Sequence, residues 1–478
     1  MDLRSLVRNL ECKIIGDENT KVDGLAYDSR RVSKGDLFFC ISGFSADGHN
    51  YAQSAVENGA SALMVTRVLD INVPQILVSD DRQAMAAIAC EFFGHPSKRL
   101  KTIGVTGTNG KTTTTYMCKS IAEKSGKKVG LIGTIVNMIG DKVLETERTT
   151  PEAPDLQRLI AQMADEGCDV VVMEVSSHSL DLKRVEGIHY DGGVFTNLTQ
   201  DHLDYHKTFE NYRDAKKILL KNCSNAVINM DDAYGSYMAE GIDAKVYRCG
   251  IRESADLSAR EIEITPAGAS FDMVLLKDKI HIDLKIPGLF SVYNSLSAAG
   301  ACTAIGIPPY FIKEGLETLP SVSGRFEVLD TGSRGYTVIL DYAHTPDSLE
   351  NTLQTVNEFV RGRIITVFGC GGDRDRTKRP IMGEIAGMLS DYSIITSDNP
   401  RTEIPSEIIL QIEEGMKKTG ADYICIENRR EAIRFALENA RKDDIIVLAG
   451  KGHETYQEIN KVKYPFDEKI IVRELLNS

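Results

Sequence analysis

The sequence predicts an α/β protein of three domains, and three observations lead to this prediction. The chain has 478 residues, a length that suggests roughly three domains. Short, nearly continuous apolar segments alternate with amphipathic ones, which is typical of parallel strands covered by helices on both faces. The pattern changes character near residues 98 and 328. We therefore expect domains at 1–98, 99–328 and 329–478.

The first two domains follow from their strand-like segments. The N-terminal one contains LFFCISG, ALMVT and QILVS, followed by the helix-like DRQAMAAIACEFFG and the polar break HPSKR. The central one contains KTIGVTG, KKVGLIGT, DVVVMEVS, GGVFTNL and NAVINMD, which indicate a mostly parallel sheet. Residues 244–287 alternate differently and predict an antiparallel insertion in that sheet.

The alternation restarts after GRFEVLD and predicts a second parallel unit, a Rossmann-like C-terminal α/β domain. Its strand segments are found in YTVILDYAHTP, RIITVFGCGGDRD, YSIITSDNPR, DYICIENR and DIIVLAGKGHE. In both units the unusual polar residues follow the apolar runs. Because ligands of open parallel sheets bind outside the carboxyl ends of the strands, we expect two site-bearing rims.

Composition narrows the class of protein. The formal net charge of −13 makes a nucleic-acid partner unexpected, since such binding needs a clustered basic surface. Ten cysteines occur singly, which indicates reduced thiols and a cytoplasmic location. The charged start MDLRSLVRNLECKIIGDE does not resemble a signal peptide, and no apolar run is long enough for a membrane span.

The stretch GVTGTNGKTTTTYM indicates a phosphate-binding loop between a strand and a helix. Gly107 and Gly110 let backbone N–H groups approach phosphate oxygens, Lys111 neutralises their charge, and the Thr112 hydroxyl can bind magnesium. The pattern departs from GxxxxGK[ST] because Val105 stands at its first position. The alternative is a glycine-rich turn before a helix.

Two further segments fit phosphate chemistry less specifically. Glu174 ends an apolar strand and could hold magnesium, or it could be a solvated strand-end acid. The segment TNLTQDHLDYH clusters acids and histidines at spacings that do not match zinc, and it could equally be a capped helix start. A GTPase base-reading motif, a GxGxxG dinucleotide motif and the protein-kinase motifs are all absent from the sequence.

Eight motifs, in this order, resemble the Mur ligases of bacterial peptidoglycan synthesis: GTNGKTT, TTPEAPDLQ, EVSSHSL, NLTQDHLDYH, DYAHTP, GCGGDRD, SDNPR and AGKGHE. The resemblance covers essentially the whole chain and is greatest for the members that add diaminopimelate. GTNGKTT alone is shared with folylpolyglutamate synthases.

The resemblance implies an ATP-dependent acid–amino-acid ligase. Such an enzyme adds meso-diaminopimelate to the D-glutamate of UDP-N-acetylmuramoyl-L-Ala-D-Glu through an acyl phosphate, and we expect it to be a monomer. The alternatives are the same reaction with L-lysine, another ligase of the superfamily such as folylpolyglutamate synthase, or a catalytically silent interaction module.

The resemblance also implies which residues meet ATP and magnesium. The catalytic residues would be Lys111, Lys216, His202 and Asp341. The ATP-binding residues would be Gly107, Thr108, Asn109, Gly110, Lys111, Thr112, Thr113, Asn294, Arg325 and His344. Magnesium would be held by Thr112, Glu174, His202 and Lys216, the last as a carbamate. Without the family, Lys216 would be read as an ordinary exposed helix lysine.

The two remaining substrates are assigned in the same way. The N-terminal domain would bind the nucleotide sugar, and the residues that contact this substrate would be Ser29, Arg30, Thr149, Thr150, Ser176 and Arg184. Diaminopimelate would meet Arg374, Asp398, Asn399, Pro400, Arg401, Gly450 and Glu454. Diaminopimelate differs from lysine by a distal carboxylate, and the arginine of SDNPR suits that group because its fork pairs with both carboxylate oxygens.

Overall fold

Sheets of five, eleven and six strands and one two-stranded sheet organise the computed structural model, which describes residues 1–43, 46–146, 148–252, 255–265 and 267–477. This arrangement confirms the predicted α/β class and its three parts. In the part of the chain that is described, no helix combines the length and apolarity needed to cross a membrane.

The N-terminal sheet is small and mostly parallel. Its elements are α1 (Leu3–Leu6), β1 (Lys13–Ile15), β2 (Gly24–Ala26), β3 (Asp36–Phe39), α2 (Ala52–Glu57), β4 (Ala62–Val65), β5 (Gln75–Leu77) and α3 (Asp81–Phe92). The strand order is β1-β5-β4-β3-β2, with β1 antiparallel to β5 and the other pairs parallel. Helix α3 begins after Asp80, whose side chain accepts the N–H of Gln83.

The central sheet has eleven strands. Its elements are β6 (Lys101–Thr106), α4 (Lys111–Lys124), β7 (Val129–Ile132), β8 (Asn137–Ile139), β9 (Lys142–Leu144), α5 (Ala153–Asp165), β10 (Val170–Glu174), α6 (Ser177–Asp181), β11 (Tyr190–Phe195), α7 (Leu203–His206), α8 (Phe209–Lys221), β12 (Cys223–Asn229), α9 (Gly235–Ala239), β13 (Lys245–Gly250), β14 (Leu257–Thr265), β15 (Gly268–Leu275), β16 (Asp278–Leu284), α10 (Leu289–Ala304) and α11 (Pro309–Thr318).

The order of these strands is β16-β15-β14-β13-β12-β11-β6-β10-β7-β8-β9. The predicted antiparallel insertion is confirmed for β14 to β16, which pair antiparallel with one another. Strand β13 instead pairs parallel with both β12 and β14. The antiparallel hairpin β8–β9 at the opposite edge was not predicted. Both faces of the sheet are covered by buried apolar residues, which explains the continuous apolar strands.

The C-terminal sheet has six strands. Its elements are β17 (Glu327–Leu329), β18 (Thr337–Asp341), α12 (Pro346–Asn357), β19 (Ile364–Phe368), α13 (Lys378–Leu389), β20 (Tyr392–Ile395), α14 (Pro405–Thr419), β21 (Tyr423–Cys425), α15 (Arg429–Asn439), β22 (Ile445–Ala449) and α16 (Glu468–Asn477). Between β22 and α16 lies the two-stranded sheet of β23 (Tyr456–Ile459) and β24 (Val462–Pro465).

The six-stranded order is β17-β18-β22-β19-β20-β21, parallel except for β17. Because β17 pairs with β18, this sheet begins at Glu327, two residues ahead of the expected limit of 329. The domain limits remain a prediction. The carboxyl ends of β6, β10, β18, β19, β20 and β22 lead into the loops that carry the site.

Candidate active site

The phosphate-binding loop has the predicted form of a strand, a glycine turn and a helix. Gly107 and Gly110 have φ values of +152° and +84°, and a Cβ on either would be too close to a side chain: 1.9 Å from Thr196 Oγ1 and 2.3 Å from Asn294 Oδ1. Glycine is therefore required by conformation and by space. Helix α4 begins at Lys111, so its unpaired N–H groups lie at this loop and favour an anion.

Two lysines converge on one carbonyl of this loop. Nζ of Lys111 lies 2.9 Å from the Gly107 oxygen, and Nζ of Lys216, on α8, lies 2.7 Å from the same oxygen. Lys216 is only 1% exposed. Burial holds the pKa of Lys216 well below its usual range, and the neighbouring Lys111 ammonium lowers it further. Lys216 therefore holds its proton less tightly than an exposed lysine does.

Glu174 and Thr112 form the oxygen-rich side of the same cavity. The Thr112 hydroxyl donates to Glu174 Oε1 at 3.0 Å and accepts from Arg325 Nη2 at 3.1 Å. Thr134 donates to both Glu174 oxygens, through its N–H and its hydroxyl. Glu174 is thus buried and held, with a threonine oxygen beside it, at the carboxyl end of β10.

This phosphate cavity has a volume of about 180 Å³, and His202 and Asp201 also line it. Nε2 of His202 lies 3.4 Å from Asp201 Oδ2. Within the described residues, no three His, Cys, Asp or Glu side chains converge as a complete metal site. Magnesium is commonly bound by one or two carboxylates together with water and phosphate oxygens, so the set of Glu174 and Thr112 fits it.

A second cavity, of about 530 Å³, lies between the central and C-terminal domains and joins the predicted nucleotide residues. It is lined by Asn109, Gly110, Thr113, Asn294, Arg325, Asp341 and His344. The Arg325 guanidinium lies 4.6 Å from the centre of the Tyr342 ring, a cation–π contact. Asp341 accepts the Phe326 N–H at 2.6 Å, and burial raises the pKa of its carboxyl.

His344 has a defined hydrogen-bonding state. Its Nδ1 lies 2.8 Å from the carbonyl oxygen of Tyr342, which can only accept, so Nδ1 carries the proton. Burial lowers the pKa of His344 to about 4, and the nearby Lys378 ammonium acts in the same direction. The imidazole is neutral near pH 7.

A third cavity, of about 510 Å³, contains most of the predicted diaminopimelate residues, and we call it the amino-acid cavity. It is lined by Arg374, Asp398, Asn399, Arg401, Gly450 and Glu454, while Pro400 lies next to it in the chain. Asn399 Nδ2 donates to Glu454 Oε2 at 2.8 Å. The fully buried Lys451 donates to Asn399 Oδ1 at 3.0 Å and to Glu454 Oε2 at 3.1 Å. This wall is therefore hydrogen-bonded before any substrate arrives.

Arg401 is held from two sides. Its Nη1 donates to the Gly372 carbonyl at 2.7 Å, and its Nε lies 3.3 Å from Glu458 Oε2. The backbone of Arg401 is in the left-handed region, with a φ of +50°, which is strained for a non-glycine residue. The local structure thus places this guanidinium at the edge of the amino-acid cavity.

The predicted peptide-binding residues of the central domain lie together beside Glu174. Thr150 Oγ1 donates to the Glu174 carbonyl at 2.9 Å, Ser176 N–H donates to Thr150 Oγ1 at 3.3 Å, and Arg184 Nη1 donates to the Thr150 carbonyl at 3.2 Å. Thr149 Oγ1 is 3.0 Å from Thr134 Oγ1. These four residues form one surface next to the phosphate cavity.

Ser29 and Arg30, the two predicted substrate residues of the N-terminal domain, are not part of the surface beside the phosphate cavity. Arg30 is 86% exposed at its side chain and is paired with Asp28 through Nε at 2.9 Å and Nη2 at 2.7 Å, and Ser29 lies in the same short turn. The flanking residues Tyr27 and Arg31 instead line an interdomain cavity of about 250 Å³.

Sequence reasoning missed two contributors. Lys451 lies inside the quoted AGKGHE motif, but nothing in the sequence distinguishes a buried lysine from a solvated one. For Asp201, in TNLTQDHLDYH, the sequence suggests only the capping of a helix, yet this residue lines both the phosphate cavity and the amino-acid cavity. Its position between the two cavities is a property of the tertiary structure.

Family models match along most of the chain. Residues 21–93 match the model described as Mur ligase family, catalytic domain; residues 105–302 match Mur ligase middle domain; and residues 324–452 match Mur ligase, glutamate ligase domain.

Full-length relatives are similar in sequence. The chain is 50% identical to the UDP-N-acetylmuramoyl-L-alanyl-D-glutamate--2,6-diaminopimelate ligase of Clostridium botulinum over 100% of this chain and 99% of the relative. It is 51% identical to the ligase of the same name from Caldanaerobacter subterraneus, with the same coverage.

Solved structures are similar to this chain over its whole length. A structure of UDP-N-acetylmuramoyl-L-alanyl-D-glutamate--2,6-diaminopimelate ligase, 32% identical, matches 100% of this chain and 99% of its own with a TM-score of 0.72. A MurF structure from Acinetobacter baumannii, 19% identical, covers the same shares with a TM-score of 0.70 and supports the fold alone. The predicted resemblance is thereby confirmed, and the chain belongs to the Mur ligase family.

Proposed function

We propose that this chain is an ATP-dependent ligase that joins meso-diaminopimelate to the D-glutamyl carboxylate of UDP-N-acetylmuramoyl-L-Ala-D-Glu. The observation that carries the proposal is the shared wall of two cavities. Asp201, His202, Tyr342 and His344 line both the phosphate cavity and the amino-acid cavity. An amine bound in one can therefore reach an acid activated in the other.

The reaction follows from the weakness of a carboxylate as an acylating agent. A carboxylate oxygen attacks the γ-phosphorus of ATP, ADP leaves, and an acyl phosphate forms. The amine then attacks the acyl carbon, and phosphate departs with the former carboxylate oxygen. Positioning and charge neutralisation supply most of the catalysis in such a sequence. No covalent intermediate with the enzyme is needed.

The triphosphate would lie on the loop of residues 107–113, with Lys111 neutralising its charge. Thr112, Glu174 and His202 would hold magnesium, which, when bound, neutralises phosphate charge. Asn294, Arg325, Asp341 and His344 would hold the rest of the nucleotide.

Lys216 supports a carbamate at the same site. A neutral amine can add to carbon dioxide, giving a carbamate and releasing a proton, and the lowered pKa of Lys216 makes its neutral form easier to reach. The product would place an anion beside the Lys111 ammonium and would add an oxygen ligand for magnesium.

The remaining substrates would occupy the surfaces described above. The muramoyl dipeptide would meet Thr149, Thr150, Ser176 and Arg184, with Ser29 and Arg30 near its nucleotide. Diaminopimelate would meet Arg374, Asp398, Asn399, Pro400, Arg401, Gly450 and Glu454. We further propose that the enzyme acts as a monomer in the cytoplasm.

Phosphate release with different amino acids tests the proposal. Turnover with the muramoyl dipeptide nucleotide and ATP should depend on diaminopimelate, and L-lysine or L-glutamate should give little. Equal rates with lysine would contradict the role of Arg401. Turnover only with a folate acceptor and glutamate would favour a folylpolyglutamate synthase, and no turnover with any acceptor would favour a silent interaction module.

A further inference from the structure

A buried ion pair lies behind the two loops that carry Arg374 and Arg401. Arg379, on α13, has no exposed side-chain surface, and both of its terminal nitrogens face Glu403. Nη1 donates to Oε2 at 3.0 Å and Nη2 donates to Oε1 at 2.9 Å. Two parallel bonds of this kind fix orientation as well as distance.

The same guanidinium holds two further groups. Nη1 also donates to Gln411 Oε1, on α14, at 2.7 Å, and Nη2 donates to the Gly371 carbonyl at 3.2 Å. Glu403 in turn accepts the N–H of Asp373 at 2.6 Å. One arginine and one glutamate thus tie helices α13 and α14 to the loop after β19 and the loop after β20.

The contacts continue from this pair to the amino-acid site. The Gly372 N–H donates to the Asn399 carbonyl at 2.9 Å, and the Gly372 carbonyl accepts from Arg401 Nη1 at 2.7 Å. A Cβ on Gly372 would lie 1.9 Å from the Pro400 oxygen, so the two loops touch without spare room. A shift of the glycine loop would therefore move the acceptor that orients Arg401.

The charge of the pair is stable. Hydrogen bonding from Arg379 lowers the pKa of Glu403 to about 2, and Nη2 of Arg376 adds a second cation 3.1 Å from its Oε2. Neither Arg379 nor Glu403 lines the amino-acid cavity. Their effect on that cavity is therefore indirect.

We propose that Arg379 and Glu403 are a positioning pair for the amino-acid site: they set the spacing of the two loops, and with it the geometry in which Arg374 and Arg401 meet the distal carboxylate of the incoming amino acid. This inference rests on the proposed function, because it assumes that diaminopimelate binds between those loops.

Arg379→Lys tests the pair because it keeps the charge and removes the fork. We expect the KM for diaminopimelate to rise about tenfold or more, while the KM values for ATP and for the muramoyl dipeptide nucleotide change less than about twofold. Glu403→Gln keeps the shape of the side chain and removes its charge. It should also raise the KM for diaminopimelate much more than the KM values for the other two substrates. If Arg379→Lys does not fold, the kinetics of Glu403→Gln test the positioning pair.

Arg363→Lys is the matched control. Arg363 contacts Asp444 through Nε at 3.2 Å and Nη2 at 2.6 Å, at the amino end of the same sheet and away from the site. The KM values of Arg363→Lys for diaminopimelate, ATP and the muramoyl dipeptide nucleotide should remain near those of the unchanged enzyme. A KM for diaminopimelate that is unchanged in both test variants, or equal rises for all three substrates, would overturn the inference. Failure of the unchanged enzyme to use diaminopimelate would instead contradict the proposed function.

Discussion

The phosphate-binding loop and the amino-acid cavity are built in opposite ways. The loop is one contiguous segment, 107–113, at the junction of β6 and α4, and its Gly107 carbonyl accepts from Lys111 of the loop and from Lys216 of α8. The amino-acid cavity is assembled from the loops that follow β18, β19, β20 and β22, which are separated by helices, together with Asp201 and His202 of the central domain. One site is local in sequence, and the other exists only after the domain has folded.

The two regions also treat charge differently. Around the loop, the amino groups of Lys111 and Lys216 lie against the same carbonyl oxygen, and desolvation lowers the pKa of each, so a bound anion would stabilise the charged form of Lys111. At the amino-acid cavity two cations are already paired with carboxylates: Arg401 with Glu458, and Lys451 with Glu454. We therefore expect changes at the loop to affect catalysis and changes in the cavity to affect the affinity for one substrate.

The largest effect should come from Lys216→Ala. We expect kcat to fall about a hundredfold or more, because the variant loses a charged group next to the transferred phosphoryl group. Short-chain carboxylic acids should restore part of the activity if the lysine acts as a carbamate. Lys217→Ala is the control, since that neighbour bonds the Tyr237 carbonyl instead. If Lys216→Ala turns over at the rate of the unchanged enzyme, catalysis does not depend on a carbamate at Lys216.

A smaller and more selective effect is expected for Arg401→Ala. The KM for diaminopimelate should rise by the equivalent of about 2 kcal/mol or more, because a carboxylate would lose its charged partner, while the KM for ATP should barely change. Steady-state kinetics with each substrate varied in turn measures the difference. Arg430→Ala, in the Arg430–Glu474 surface pair, is the control. An unchanged KM for diaminopimelate would place Arg401 outside the pocket.

The smallest effect concerns His344, which lies where the cavities meet. Its pKa is about 4 in the folded protein against an ordinary value of 6.5, so between these pH values the unfolded chain binds more protons. Its contribution to folding stability is thus complete above pH 6.5 and is lost as the pH falls towards 4. Urea unfolding of His344→Asn should depend less on pH in this window than unfolding of the unchanged protein. Identical slopes would show that His344 is not buried in its neutral form.

The same contrast explains what sequence could predict. The glycine loop, Lys111 and Thr112 were predictable because strand, turn and helix follow one another within a few residues. The motifs around Asp398 and Gly450 indicated polar strand ends, but their mutual distances depend on the order of strands in the sheet. The roles of Lys451 and Arg379 could not be predicted, because burial of a charged side chain is a tertiary property. The hairpin β8–β9 was missed because its strands have only three residues each.

An oxygen label shows whether ATP activates the acid by phosphoryl transfer. The muramoyl dipeptide nucleotide would be labelled with ¹⁸O in its D-glutamyl carboxylate and turned over with ATP and diaminopimelate, and the released phosphate would be examined by mass spectrometry. We expect one ¹⁸O atom in each phosphate released. Phosphate without the label, formed at the same rate as the amide, would contradict activation by phosphoryl transfer.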